Sequence, residues 1–282
     1  MILKPAINIE KQIQLLKDRG MYFEDLGFAR GFLQDNNYYR LNYYFHQCMD
    51  KPDHFAKNTS FERIVEAYIA DRNFRHELLL LLEPVEIRSK TIISYHLSNT
   101  HGSDAFYKWE LYKSPRIHMD LLSSLNRETG VREKEPVISH HKFKYPGFFP
   151  IWVIVEYMSF NALSKYLNNL NANDQKLISR KYFQLNEQFL ISWLHSLSVL
   201  RNICAHYGHL YKRNFDIKPK SYREWPLNLS DELVKQVLIL KELSTSINFN
   251  KFISYLSSFE IKNKFVKLSD YGFPVALEKL LK

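Results

Sequence analysis

The stretch FERIVEAYIADRNFRHELLLLLEPVEIRSKTIISYHL, residues 61–97, decides the fold. Its apolar side chains return every three or four positions from Ile64 to Ile93, the period that lays one face of an α-helix against a core. Ser60 stands immediately before it, a residue type whose side chain accepts a hydrogen bond from the first helical turn. Pro84 interrupts the pattern, and a proline inside a helix removes one backbone hydrogen bond, so the expectation is two helices or one kinked helix. The polar face mixes acids with arginines, which marks a solvated bundle helix and not one lying on a membrane.

Outward from this stretch, helical spacing recurs on both sides. Ile9, Ile13 and Leu16 repeat between Asn8, a cap, and Gly20, a stop, and a second helical segment covers Glu24 to Gln34. NNYYRLNYYFHQC, residues 36–48, is dense in tyrosine without a clean period. It is expected to be an aromatic packing knot between helices, with a base-stacking surface as the alternative. Residues 126–150 hold three prolines and mixed charge with no period, and are expected to be a long loop. Helical spacing resumes over 151–170 and from Asp174 to Gly208. A linker, DIKPKSYREWP, then precedes two more helical segments beginning at Ser230 and near Asn248. With no strand alternation and no internal repeat, the fold class is all-α. A helical bundle core over 60–215 carries an N-terminal helical, aromatic segment (1–59) and a C-terminal helical extension (216–282).

Of the 282 residues 45% are hydrophobic, enough for a sizeable core, and the 8 glycines are too few for a turn-rich β fold or a glycine-loop nucleotide site. Lys and Arg outnumber Asp and Glu by 39 to 30, a net charge of +9 that favours a polyanionic partner. Cys48 and Cys204, far apart, indicate neither a disulfide framework nor a cysteine zinc site and fit a reducing cytoplasm. The longest apolar run, Leu78 to Leu82, falls far short of the ~20 residues of a membrane helix. The N-terminus is interrupted by charges where a signal peptide is not. The expectation is a cytoplasmic protein without membrane contact, metal or cofactor; the 11 histidines show no metal-ligand spacing.

The chemistry concentrates in VLRNICAHYGHLYKRNF, residues 199–215. At ~100° per residue, Leu190, Trp193, Leu194, Leu197, Leu200 and Cys204 share one face of a helix, while His195, Asn202 and His206 share the opposite one. His209 joins the polar stripe if the helix continues past Gly208. Arg201 falls at the edge of the apolar face, where a guanidinium must find a carboxylate, a phosphate or water. Glu83, Glu86 and Glu156 are the carboxylates available for a partly buried ion pair. Alternatively, Arg201, Asn202 and His206 surround a phosphodiester: histidine moves a proton near neutrality, arginine stabilises a five-coordinate phosphorus, and asparagine orients either. RNA brings its own nucleophile in the 2′-hydroxyl. Arg201 and His206 lie about 140° apart on an ideal helix, so one straight helix does not aim both at one phosphate. Either the helix is distorted near Gly208, or a second copy completes the site.

The spacing Arg201, Asn202, His206 resembles the R-x4-H signature of HEPN ribonucleases. LRNICAHYGHLYKRNF is similar to the extended form seen in the Abi-like abortive-infection family of bacteria. NNYYRLNYYFH, IADRNFRHELLLLLEPVEIRSK, ISHHKFKY and FPIWVIVEYMSFNALSKYL fit the same family in order, over residues 8–215. The resemblance implies a HEPN-type bundle and a metal-independent endoribonuclease active in antiphage defence or as a toxin. Arg201 and His206 would be its catalytic pair and Asn202 a supporting residue, leaving 2′,3′-cyclic phosphate ends. RNA would be the substrate, the active unit a homodimer, and the restraint an antitoxin or inhibitory small RNA. Lys212, Arg213, Lys218, Lys220 and Arg223, with His209, are candidates for tracking RNA phosphates, as are His141 and Lys142. The competing class is a non-catalytic RNA-binding or scaffolding protein of the same fold.

Overall fold

The computed structural model describes residues 5–145, 148–222, 225–226, 229 and 233–274. Three short helices lead: α1 (Ile9–Asp18), α2 (Leu26–Asp35) and α3 (Tyr38–Gln47). Each begins on an Asn or Asp, Asn8, Asp25 and Asn37, whose side-chain oxygen accepts a first-turn N–H. Gly20, at φ +90°, ends the first by taking a conformation that disfavours other residues. The tyrosine-rich stretch is helical, burying Leu41, Tyr44 and Phe45 at i, i+3, i+4. A small antiparallel hairpin, β1 (Met49–Lys51) with β2 (His54–Phe55), follows where no strand was expected.

Helix α4 runs unbroken from Phe61 to His101, 41 residues and therefore ~60 Å of axis. Ser60 caps it, accepting from the Arg63 N–H. Pro84 does not split it. The carbonyl that loses its donor belongs to Leu80, whose side chain points to solvent, so the defect lies on the wet side of the helix. Ile64, Phe74, Leu78, Leu82, Ile93 and Leu97 are fully buried along the other side.

The stretch expected as a loop is largely helical. α5 (Pro115–Val131) buries His118, Leu121, Leu125 and Thr129 in a period that crosses position 126, and α6 spans Pro136–Lys144. Pro115 and Pro136 sit in the first turns of these helices, where a missing N–H costs nothing, so proline here starts a helix. α7 (Ile151–Ile154), α8 (Phe160–Asn169) and α9 (Ala172–Phe183) lead to α10 (Glu187–Ala205). The single run expected over 174–208 is broken at Gln184, in the left-handed region, and restarts on the Asn186 cap. α11 (Val234–Leu243) and α12 (Ser246–Lys262) follow; Ser230, the expected start of the first, lies outside the described residues.

This is an all-α bundle. α10 packs on α8, α9, α11 and α4, and α4 also receives α3, α7 and α12. Buried apolar residues from Ile13 to Phe273 form one continuous core. Arg88 fastens this centre, donating to the carbonyls of Tyr182 (3.0 Å) and Leu243 (3.3 Å). Among the described residues, no helix is long and apolar enough to cross a membrane.

Candidate functional site

Helix α10 buries Leu190, Trp193, Leu194, Leu197, Leu200 and Cys204 against the core, which leaves Arg201 at the seam with α4. Its Nε lies 3.2 Å from Glu86 Oε2, with the Arg201 side chain 33% exposed and Glu86 12%. The other oxygen of Glu86 faces Lys90 at 3.5 Å, and Lys90 also donates to the Glu156 carbonyl at 3.3 Å. One carboxylate thus sits between two cations, leaving an excess positive charge. Glu86 approaches Arg201 at Nε, and with a third of the Arg201 side chain exposed the five-donor guanidinium has capacity beyond this one contact. Of the three acids available, Glu86 is the partner; Glu156 contributes its backbone to Lys90 and Glu83 is exposed.

The helix ends at Ala205, before His206. Asn202 is half-buried, and its carbonyl accepts the His206 N–H (3.0 Å). His206 is the C-cap and is exposed. Tyr207 follows at φ +58°, and the Gly208 N–H bonds to the Ile203 carbonyl at 2.8 Å, closing the helix end. A tyrosine in this left-handed conformation costs ~1 kcal/mol or more relative to glycine. The glycine is instead at 208, where an added Cβ would lie 2.9 Å from the Ile203 side chain and 3.0 Å from its carbonyl oxygen. Arg40 of α3 braces the turn: its Nη1 donates to the Tyr207 carbonyl (3.3 Å) and its guanidinium lies over the Tyr207 ring at 5.4 Å.

Beyond the turn the chain is pinned by Asp71. This buried carboxylate accepts from the backbone N–H groups of Leu210 (3.1 Å) and Tyr211 (3.0 Å), from the Tyr44 hydroxyl (2.6 Å) and from Arg75 Nη1 (3.0 Å). Burial pushes the Asp71 carboxyl up, while these four donors pull it back. His209, expected on the polar stripe, instead stacks on Tyr43 with ring centroids 4.3 Å apart and lies 3.3 Å from the Tyr44 oxygen. Burial, and then the charges of Arg75, Arg213 and Arg40, lower its pKa to about 4. It is neutral at pH 7, half-buried, and packs the turn.

The remaining basic candidates divide. Lys212 lies 3.7 Å from Asp270, which compensates part of its charge. Arg213 covers the Phe215 ring at 5.8 Å, and its buried Nε has no hydrogen-bond partner. Lys220 bonds to Gln188 at 2.6 Å, Lys218 is exposed, and Arg223 lies outside the described residues. His141 donates Nδ1–H to Val137 (2.8 Å) and Lys142 pairs with Glu133 (3.1 Å), so both are engaged locally around α6 and not with α10.

The residues that reading the sequence missed are Asp71, Arg75, Lys90 and Arg40. The signal for the first two was present: Asp71 falls seven positions after Ile64 and seven before Leu78, so a charge occupies a core register. Among the described residues no cluster of three or more His, Cys, Asp or Glu is arranged to hold a metal. Buried Asp174 accepts from His96 (2.9 Å), His101 (3.0 Å) and Asn171 (2.7 Å). Burial opposes its ionised form, but the three donors prevail and hold its pKa at about 2.

No curated protein and no solved structure matches the chain. A family model does, that of the Abi-like proteins, over residues 31–212, from within α2 through α4 and α10 to the end of the pinned turn. That match spans well over half of the chain, and the protein belongs to the Abi-like family.

Proposed function

We propose that this protein is a metal-independent endoribonuclease of the HEPN type, acting as an abortive-infection effector. The observation that carries the reading is Arg201: Glu86 holds it at Nε while a third of its side chain stays exposed, on the same helix end as an exposed His206. In this reaction the RNA 2′-hydroxyl gives its proton to His206 and its oxygen attacks phosphorus. Arg201 stabilises the added negative charge with charge-assisted hydrogen bonds. The P–O5′ bond then breaks and the leaving oxygen takes a proton, leaving a 2′,3′-cyclic phosphate and a 5′-hydroxyl. Asn202 orients these groups. The angular separation of Arg201 and His206 is met by a homodimer, in which the corresponding histidine of a second copy supplies the proton. Such an activity damages its own cell, and an antitoxin or an inhibitory small RNA on the basic surface would restrain it.

The second reading is an RNA-binding or scaffolding protein that does not cut, and the Arg201–Glu86 pair favours it, since a paired arginine also serves packing. Cleavage of RNA in EDTA separates the two. Wild type is expected to produce cyclic-phosphate ends, and His206→Ala and Arg201→Ala to lose at least about 100-fold in rate with folding and association unchanged by circular dichroism and light scattering. Intact RNA with folded wild type, together with tight binding that both variants retain, would establish the binding protein instead.

A further inference from the structure

Tyr207 is placed against local preference. A tyrosine takes the left-handed position directly after His206, where glycine is easier, and the residue remains 65% exposed. A packing role would bury that ring. One face of it is covered by the Arg40 guanidinium, which leaves the other open. Arg40 lies on the carbonyl and ring of Tyr207, and Arg213 follows in the next turn with its N–H on the Leu210 carbonyl at 3.1 Å; both charges also lower the affinity of His209 for a proton. Among the described residues neither of them pairs with a carboxylate, unlike Arg75, which is taken by Asp71, and Lys212, which faces Asp270. The buried Nε of Arg213 has no hydrogen-bond partner. An open aromatic face backed by a cation, beside two uncompensated guanidiniums, is the chemistry that holds an unpaired base and its phosphate.

We infer that Arg40, Tyr207 and Arg213 form a subsite for one nucleotide of single-stranded RNA beside His206. The base stacks on the free face of Tyr207, and its phosphate meets the guanidiniums. Arg40 has two tasks there, bracing the left-handed turn through the Tyr207 carbonyl and charging the subsite. The inference rests on the proposed reading in taking RNA as the ligand.

The test compares binding of a short 2′-O-methyl oligouridine, which lacks the nucleophile, with an abasic strand of the same length, by fluorescence anisotropy. Wild type is expected to bind the base-bearing strand on the order of tenfold more tightly. Tyr207→Gly should erase that difference while the melting temperature holds or rises, because the backbone is relaxed; Tyr207→Trp should keep it. Arg40→Ala should weaken both strands. Equal affinities in wild type, no binding of either strand, or a difference that survives in Tyr207→Gly would overturn the subsite. So would a lower melting temperature in Tyr207→Gly with binding unchanged, which is the mark of a structural tyrosine. Base-dependent binding with unmodified RNA left intact would sink the nuclease reading and leave the subsite standing; cleavage without base dependence would do the reverse.

Discussion

Asp71 and Glu86 lie 15 positions apart on the same helix, and each meets the segment built around α10, one at its trailing turn and the other at its arginine. Asp71 is fully buried and gathers four donors, two of them backbone N–H groups that cannot be redirected. Glu86 is partly wet and touches two cations at 3.2 and 3.5 Å, through one oxygen each. The difference teaches what each carboxylate is for. A saturated acid fixes a chain path; an acid outnumbered by its cations orients them and leaves charge over for a ligand.

The contrast breaks most visibly at Asp71. Asp71→Asn leaves the guanidinium of Arg75 buried without its counter-charge, and should cost ~3–5 kcal/mol in urea unfolding. A loss below about 1 kcal/mol would make the two acids alike. Asp174 sharpens the comparison, as a second saturated acid, two of whose donors are histidines. Its carboxyl is held at about 2 when folded, against an ordinary 3.8 when free. The stability it contributes, roughly 2 kcal/mol, is therefore fully present above pH 3.8 and lost as pH falls toward 2. Asp174→Asn should lower stability at pH 5 and flatten the acid limb; parallel curves for variant and wild type would refute it. The smallest stability effect belongs to Glu86→Gln, about 1 kcal/mol or less, because Arg201 can hydrate and Lys90 keeps the Glu156 carbonyl. RNA cleavage by that variant should nonetheless fall by up to about 100-fold as Arg201 loses its orientation. Several kcal/mol lost with cleavage intact would reverse the roles assigned to the two acids.

Helix α4 was legible because one stripe of apolar residues runs its length and Ser60 caps it, and the core face of α10 was legible for the same reason. α6 was not: it buries only Ile138, so it has no stripe, and Pro136 reads as a breaker unless its first-turn position is known. α3 was hidden by its composition, since tyrosines on every side blur the stripe of Leu41, Tyr44 and Phe45. At the site, the position of Arg201 at the edge of the apolar face named Glu86 among three partners. Nothing local identifies Arg40, whose contact with Tyr207 spans 167 residues, or a left-handed tyrosine beside an available glycine. The place of His209 was left open because it depends on where the helix stops, which the stripe alone does not fix.

The hydrogen bonds from Leu210 and Tyr211 to Asp71 join positions 139 and 140 residues apart. During synthesis, α4 leaves the ribosome long before the backbone groups that satisfy its buried acid. The turn carrying His206 and Tyr207 cannot settle until that closure is made, and closing so long a loop carries an entropic cost that only the assembled core repays. Segments 265–273 add to the delay, since Phe265 donates to Glu66 and Tyr271 stacks on Phe74 at 4.5 Å, on the same stretch of α4. The fold thus orders its own maturation, and a nascent chain keeps Arg40 of α3 apart from the turn it braces until the residues that pin that turn have been made.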